Sequence, residues 1–215
     1  MTLARIFRSL AVFAISLHVC AAAAQAWPAK PVKLVTPFPP GGSADVIARL
    51  IANQLSVQLG QPVVIDNRPG AGGLVGNEYV AKQPPDGYTL LLITGAYPVQ
   101  GAMLKSLPFD PLGDIAMVSM LTSYPFVISV RPDSRFRTLA ELIAYAKANP
   151  GKLNFPSSGI GTVHHLSGEL LNAMAGIEMV HVPFRGGASP LTEVLGGRVD
   201  LLLEAKFSLP GFALA

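Results

Sequence analysis

The stretch VTPFPPGGSADVIARL, residues 35–50, contains the pattern that decides the fold class. An apolar run ends at Thr36, and a loop of prolines and paired glycines leads at once into residues with helical spacing. Glycine lets the backbone turn sharply and come close to a ligand. The unpaired N–H groups and partial positive charge at the start of a helix favour an anion. The stretch predicts a strand, a turn and a helix, and leaves open whether the turn binds an anion or only joins the two elements.

A second stretch, SSGIGTVHHL at residues 157–166, repeats this pattern in the other half of the chain. It follows a strand-like run, and its small residues lead into a helix expected from Thr162. Ser157, Ser158 and Thr162 add hydroxyl groups that can donate hydrogen bonds. The two turns are therefore the candidate ligand-binding segments.

Strand-like and helix-like segments alternate along the chain from about residue 32 to residue 203. Repeated β-loop-α units predict parallel sheets with helices on both faces. In such sheets the ligand lies beyond the carboxyl ends of the strands. We expect strands at 32–36, 63–66, 89–93, 115–121, 126–130, from 154, 179–182 and 199–203, and helices at 43–59, 74–82, 138–149, 162–175 and from 189.

Several local features make these predictions specific. Ser43 and Ser189 are expected N-caps, Thr138 opens a capping box, and Gly60 and Gly176 are expected to end helices. The fully apolar strand at 89–93 is expected to be buried on both faces. The first helix is expected to bury one face, which consists of Val46, Ile47, Leu50, Ile51 and Leu55.

The first 26 residues have the pattern of a secretory signal peptide: two arginines, a short apolar run, and Ala24-Gln25-Ala26 as a cleavage site. We therefore expect an exported protein. This segment holds two of the 16 basic residues, so 14 basic and 13 acidic residues remain, a net charge of +1. It also holds Cys20, the only cysteine. The rest of the chain can form no disulfide and shows no basic stripe for nucleic acid.

Other kinds of site are weakly supported. The second turn lacks the last glycine of a dinucleotide fingerprint, because His164 stands there. His165 and Glu169 share a helix face as metal ligands can, but a third ligand is missing nearby, so we expect neither metal nor cofactor. No nucleophile-elbow motif occurs. A hydrolase that uses Ser157 or Ser158 with His165 remains an alternative.

Five segments resemble the Bug-type extracytoplasmic solute receptors of tripartite tricarboxylate transporters, and the likeness runs from about Trp27 to Leu203. They occur in the order found in that family. The segments are WPAKPVKLVTPFPPGGSADVIAR, NRPGAGGLVGNEYVAKQPPDGYTLL, LPFDP, ELIAYAKANPGKLNFPSSGIGTVHHLSGELL and HVPFRGGASPLTEVLGGRVDLL.

The resemblance implies a binding protein, not an enzyme, with two α/β lobes that close on a small organic carboxylate. The implied partners are the membrane subunits of the transporter, and we expect a monomer. In the family, backbone amides, hydroxyls and ordered water hold the ligand carboxylate. The matching positions are Pro39, Pro40, Gly41, Gly42, Ser43 and Asp45 in the first turn, and Ser157, Ser158, Gly159, Gly161, Thr162 and His165 in the second. The far end of the ligand is expected to meet residues 95–100 and 184–188.

The expected organisation is a signal peptide at 1–26, a first lobe at 27–123 and a second lobe at 124–215. The fold class is thus an α/β, two-lobe periplasmic binding protein of the type II, Venus-flytrap kind. Such receptors are about half as long again, and their chain crosses back to complete the first lobe. Because the family pattern is lost after Leu203, we expect this chain to be incomplete at its C-terminus, and a fragment that binds nothing is a further alternative.

Overall fold

The computed structural model describes residues 27–186 and 188–205, so the predicted signal peptide lies outside the described residues. The strands are β1 (Val32–Thr36), β2 (Val63–Asn67), β3 (Thr89–Leu91), β4 (Phe126–Val130), β5 (Asn154–Ser157), β6 (Val180–Pro183) and β7 (Leu201–Ala205). The helices are α1 (Ser43–Leu59), α2 (Leu74–Ala81), α3 (Ala96–Met103), α4 (Leu139–Ala148), α5 (Val163–Ala175) and α6 (Ser189–Leu195), and a 3₁₀ turn (Ala71–Gly73) precedes α2. None of the helices in these residues is both long and apolar enough to cross a membrane.

The first sheet is parallel, as predicted, with the strand order β2-β1-β3. Its central strand, β1, is almost completely buried, and α1 packs on it through Ala44, Ala48 and Ala52. The predicted apolar face of α1 is partly wrong, because Val46 and Leu50 are 46% and 63% exposed. The alanines lie on the adjacent face, and their small side chains let the helix axis approach the sheet closely.

The second half contains two small sheets around a core that includes Phe136, Leu142, Leu153, Phe155 and Leu201. The β5–β6 pair is parallel, as the alternating pattern predicts. The β4–β7 pair is antiparallel, which corrects the expectation of parallel sheets alone. An apolar run such as Leu201–Leu203 suits either direction, so the packing of the whole half sets it.

The predicted strand at 115–121 is wrong. This segment forms no regular element, and Met117, Val118 and Met120 are exposed. A strand needs a neighbour to pair with, and none of the described strands pairs with this segment. The predicted strand at 89–93 is shorter, and its three residues in β3 are only partly buried. The glycine-rich stretch after residue 95 forms α3, which the sequence did not predict.

The chain changes direction at several of the predicted caps. Gly60 and Gly176 end α1 and α5 in the left-handed conformation, and Thr138 forms the capping box with Glu141. The N-caps predicted at Ser43 and Ser189 are wrong by one residue, since Gly42 and Ala188 hold those positions without a side-chain bond. A serine one position inside the helix cannot reach back to cap it.

Candidate ligand-binding site

Both predicted turns leave the carboxyl end of a strand and enter a helix, and the structure brings them together. The first turn, residues 37–42, joins β1 to α1, and the second, residues 158–162, joins β5 to α5. The chain after β6 contacts both. A Cβ atom placed on Gly186 would lie 3.1 Å from Cδ of Pro39 and 3.7 Å from Cβ of Ser158. The first and second turns therefore lie beside each other, although they are more than 100 residues apart in the chain.

The first turn is held by the carboxylate of Asp45, which is only 4% exposed. This carboxylate accepts hydrogen bonds from the Gly41 N–H at 3.1 Å and from Asn67 Nδ2 at 3.1 Å. Asn67 Nδ2 also reaches Thr36 Oγ1 and the Phe38 carbonyl, each at 3.0 Å. One side chain from β2 and one from α1 thus fix the path of the turn between them.

The Asp45 carboxylate is charged, and groups of the protein already bind it. Burial raises the pKa of Asp45, but hydrogen bonds from Arg49, the Gly41 N–H and Asn67 outweigh burial and leave the pKa lowered. The Arg49 guanidinium donates to both carboxylate oxygens, at 2.8 and 3.1 Å. Asp45, predicted as a ligand-binding residue, therefore acts behind the turn and holds it in place.

The second turn uses the same device. The Gly161 N–H donates to Nδ1 of His165 at 3.2 Å, just as the Gly41 N–H donates to Asp45. In each turn a glycine with positive φ, +84° at Gly41 and +76° at Gly161, bonds the side chain four residues later. A residue with a Cβ rarely adopts this conformation, so the glycines are required here.

The amides available to a ligand are consequently the ones that follow these glycines. The first regular helical bonds run from Val46 to Gly42 and from Leu166 to Thr162. The N–H groups of residues 43–45 and 163–165 therefore have no acceptor one turn earlier. One of these six is partly satisfied, because the His165 N–H reaches Oγ1 of Thr162 at 3.5 Å. The N–H of Gly161, a predicted ligand-binding position, is not among them, because it donates to Nδ1 of His165.

Two of the three hydroxyls at the second turn, those of Ser157 and Thr162, are buried. Thr162 is 1% exposed, and its Oγ1 donates to the Gly159 carbonyl at 2.7 Å. Ser157 is completely buried, and its Oγ accepts the Gly159 N–H at 3.0 Å. Ser158 is half-buried and contributes to the contact with Gly186. Ser157 and Thr162 thus shape the turn, and Ser158 is the serine that remains partly accessible.

His181 of β6 is part of this site, and the sequence analysis missed it. Its Nε2 lies 2.6 Å from Oγ of Ser157, and its ring stacks on His165 at a centroid distance of 4.1 Å and on Phe155 at 5.2 Å. The only signal in the sequence was a histidine within an otherwise apolar strand, and it did not indicate which residues His181 would contact. The hydrolase alternative needed Ser157 or Ser158 with His165, whereas the structure pairs the buried Ser157 with His181.

Acidification should destabilise the folded chain through His181. Burial lowers the pKa of His181 below 6.5, and His165 lowers it further, while Glu169 opposes this. The unfolded chain therefore binds a proton first, and the free energy of unfolding falls as the pH decreases below about 6.5. We expect urea titrations to give this slope between pH 7.5 and 5.5. His181→Gln should flatten it, and an unchanged slope in that variant would contradict the assignment.

A third segment, the NRPGAGG loop at 67–73, also reaches the second turn. Gln100 Nε2 donates to the carbonyls of Ala71 and Gly72 at 3.2 and 3.0 Å, and Gln100 Oε1 accepts from Asn77 at 3.1 Å. A Cβ on Gly72 would lie 2.8 Å from the carbonyl oxygen of Ile160. This loop begins one of the five family-like segments, but the sequence assigned it no role, since its contact with Gln100 depends on α3, which was not predicted.

The described residues contain no cluster of three or more His, Cys, Asp or Glu side chains that could hold a metal ion. The His165–Glu169 pair considered from the sequence is 3.9 Å apart. His165 Nδ1 already accepts the Gly161 N–H. The pair belongs to the structure of the second turn.

Residues 47–212 match the family described as tripartite tricarboxylate transporter family receptor. The chain belongs to this family. Its relatives include BugT of Bordetella pertussis, which is 38% identical over 95% of this chain and 64% of its own length. The chain spans 61% to 64% of the length of the first curated relatives. The predicted Bug-type family is confirmed, and the family is one of receptors rather than enzymes.

Three solved structures are similar over most of the chain. An R. palustris protein with adipate has a TM-score of 0.81 and 38% identity, covering 85% of this chain and 62% of that one. MatC from Rhodopseudomonas palustris with bound malate has a TM-score of 0.78 and 32% identity, covering 85% of this chain and 62% of that one. The periplasmic binding protein BugD has a TM-score of 0.78 and 32% identity, covering 83% of this chain and 60% of that one. The predicted α/β two-lobe binding-protein fold is confirmed, whereas the lobe boundary at 123/124 and the ligand contacts of the site residues stay predictions.

Proposed function

We propose that the chain is an extracytoplasmic receptor that binds one carboxylate of a small organic acid where the first and second turns meet. The observation that carries this proposal is the contact of Gly186 with both Pro39 and Ser158, which brings together the two turns that lead into α1 and α5. Each helix start favours a nearby anion by about 0.3–1 kcal/mol, and by up to about 2 kcal/mol when partly buried. Amide donors to a charged group add further stabilisation.

The ligands bound in similar structures support this proposal. Adipate and malate are both dicarboxylates, and they are bound to proteins that share this fold with 38% and 32% identity. Arg49, a basic side chain close to the first turn, is already paired with Asp45. Backbone amides at the two helix starts, mainly those of residues 43–45, 163 and 164, are therefore proposed to hold the carboxylate. Residues 95–100 and 184–188 are proposed to contact the other end of the acid.

A thermal-shift screen tests the proposal. The chain should be expressed with its N-terminal segment and recovered from the periplasm, then screened against malate, adipate, citrate, glutamate and nicotinate. A ligand at 100 times its Kd should add about 2.7 kcal/mol to the free energy of unfolding and raise Tm accordingly. The matched control is adipamide, which has the same carbon chain but no charge, and it should give no shift.

Two results would contradict the proposal: no acid raises Tm, or adipamide raises it as much as adipate does. A broad, uncooperative melt with no ligand response would instead support the alternative of a fragment that binds nothing. Sequencing of the N-terminus checks the proposed location, because cleavage after Ala26 would leave Trp27 as the first residue.

Delivery of the acid to the membrane subunits of a tripartite tricarboxylate transporter is the proposed purpose of binding, and it rests on the family alone. We propose that the receptor acts as a monomer. Gel filtration of the ligand-bound chain tests the monomer. Co-purification with the membrane subunits, stronger with ligand than without it, tests the partnership.

A further inference from the structure

Several contacts between the two predicted lobes have a glycine on one side. A Cβ atom on Gly95, which precedes α3, would lie less than 3.0 Å from Cγ2 of Val163, the first residue of α5. A Cβ on Gly72 would lie 2.8 Å from the Ile160 carbonyl oxygen. Atoms in folded proteins essentially never approach this closely, so neither position has room for a methyl group. The start of α5 comes this near to the first half because side chains are missing there.

At Gly95 a side chain is excluded by lack of room and not by the backbone conformation. Gly95 has φ −58° and ψ −15°, which an alanine adopts without strain. Val163 cannot easily rotate away, because a β-branched residue in a helix has one strongly preferred rotamer. Gly72 differs, since its φ of +66° would strain any other residue as well. Gly95 therefore offers a steric test that is free of backbone effects.

We infer that Gly95 and Gly72 are positioning residues, which set how closely the start of α5 approaches the first half of the chain. This inference rests on the proposed carboxylate site. The N–H groups of Val163 and His164 lie at that helix start, beside the contact with Gly95. A hydrogen bond from a backbone N–H to a carboxylate requires a donor–acceptor distance of about 2.7–3.2 Å. A methyl group at residue 95 would hold these donors away from the anion.

The test is a double-mutant cycle of Gly95→Ala and Val163→Ala, with calorimetric titration of the acid that binds the wild-type chain best. Gly95→Ala should weaken binding about tenfold, within the range seen for residues in contact. Val163→Ala alone should have little effect, because the helix backbone keeps its N–H group. The double variant should bind nearly as tightly as Val163→Ala, since the methyl group then has room.

Gly101→Ala is the matched control, because it adds a methyl group within α3 that meets only Pro111 at 3.8 Å or more. It should leave the affinity unchanged. If Gly95→Ala binds as tightly as the wild type, or if Val163→Ala does not restore binding, the inference is wrong while the proposed function stands.

If the wild-type chain binds none of the acids, the proposed function fails and the melting temperatures of the same four proteins decide the inference. A lower Tm in Gly95→Ala that Val163→Ala restores would show that the two residues touch in the folded chain. Additive changes in Tm would overturn the inference together with the function.

Discussion

Gly168→Ala is expected to lower the free energy of unfolding by about 2–3 kcal/mol, at the upper end of the cost of overpacking a core. Gly168 is a buried residue of α5, and a Cβ atom there would overlap the ring of Phe155 in β5. Phe155 is completely buried within a core of apolar side chains. The usual gain of up to about 1 kcal/mol for alanine over glycine within a helix offsets only part of this cost. Urea denaturation of the purified chain measures the difference.

The consequence for function is that Gly168 seats α5 on the sheet and so places its first turn at the candidate site. We expect Gly168→Ala to weaken carboxylate binding as well as to lower stability. Gly101→Ala again serves as the control, since the same change in an open helical position should be neutral or slightly stabilising. Adding Phe155→Leu should recover part of the lost stability of Gly168→Ala. Equal stabilities of Gly168→Ala and Gly101→Ala would contradict the packing argument.

Asp45→Ala is expected to cost about 2–3 kcal/mol of unfolding free energy, because it removes a buried, charged carboxylate that accepts several hydrogen bonds. The Gly41 N–H would lose its bond, and Asn67 would keep only its contacts to Thr36 and Phe38. The first turn would then lose its fixed path, and we expect carboxylate binding to become undetectable in the thermal-shift assay. Chemical denaturation and the ligand screen together measure both effects.

Two variants separate this anchoring role from a simple ion pair. Arg49 is more than half exposed, so Arg49→Ala should cost much less than Asp45→Ala. Asp133→Ala removes an exposed carboxylate from a surface pair with Arg131 and should be close to neutral. If Arg49→Ala lowers the free energy of unfolding as much as Asp45→Ala does, then Asp45 stabilises the chain through its ion pair with Arg49 and not by holding the first turn.

The lowered pKa of Asp45 adds a pH dependence to the same prediction. The folded state holds the proton less tightly than the unfolded state, whose pKa is near 3.8. The stabilisation by Asp45 is therefore complete above about pH 4 and is lost as the pH falls through the folded-state pKa. The wild-type chain should lose more stability below pH 4 than Asp45→Ala does, since the variant has no carboxyl to protonate. Parallel acid titrations of the two proteins check this.

The sequence predicted the strand–turn–helix units well, because their signals are local. Helix α1 runs over the residues expected, and the glycines at 60 and 176 end their helices as left-handed caps. Elements whose existence depends on a distant partner were less predictable. The apolar run at 115–121 has the composition of a strand but no neighbour among the described strands, and α3 lies in a stretch without clear periodicity.

The sequence by itself determined that two strand–turn–helix units exist, where their glycines lie, and which family the chain resembles. Each of these depends on residues close together in the chain, through backbone conformation, helix capping and hydrophobic spacing. Only the tertiary structure decided which groups the two turns leave free, because His181, Gln100, Gly95 and Gly186 reach the site from other elements. Contacts between distant segments depend on how strands pair and helices pack, and the residues of any one short segment do not specify these arrangements.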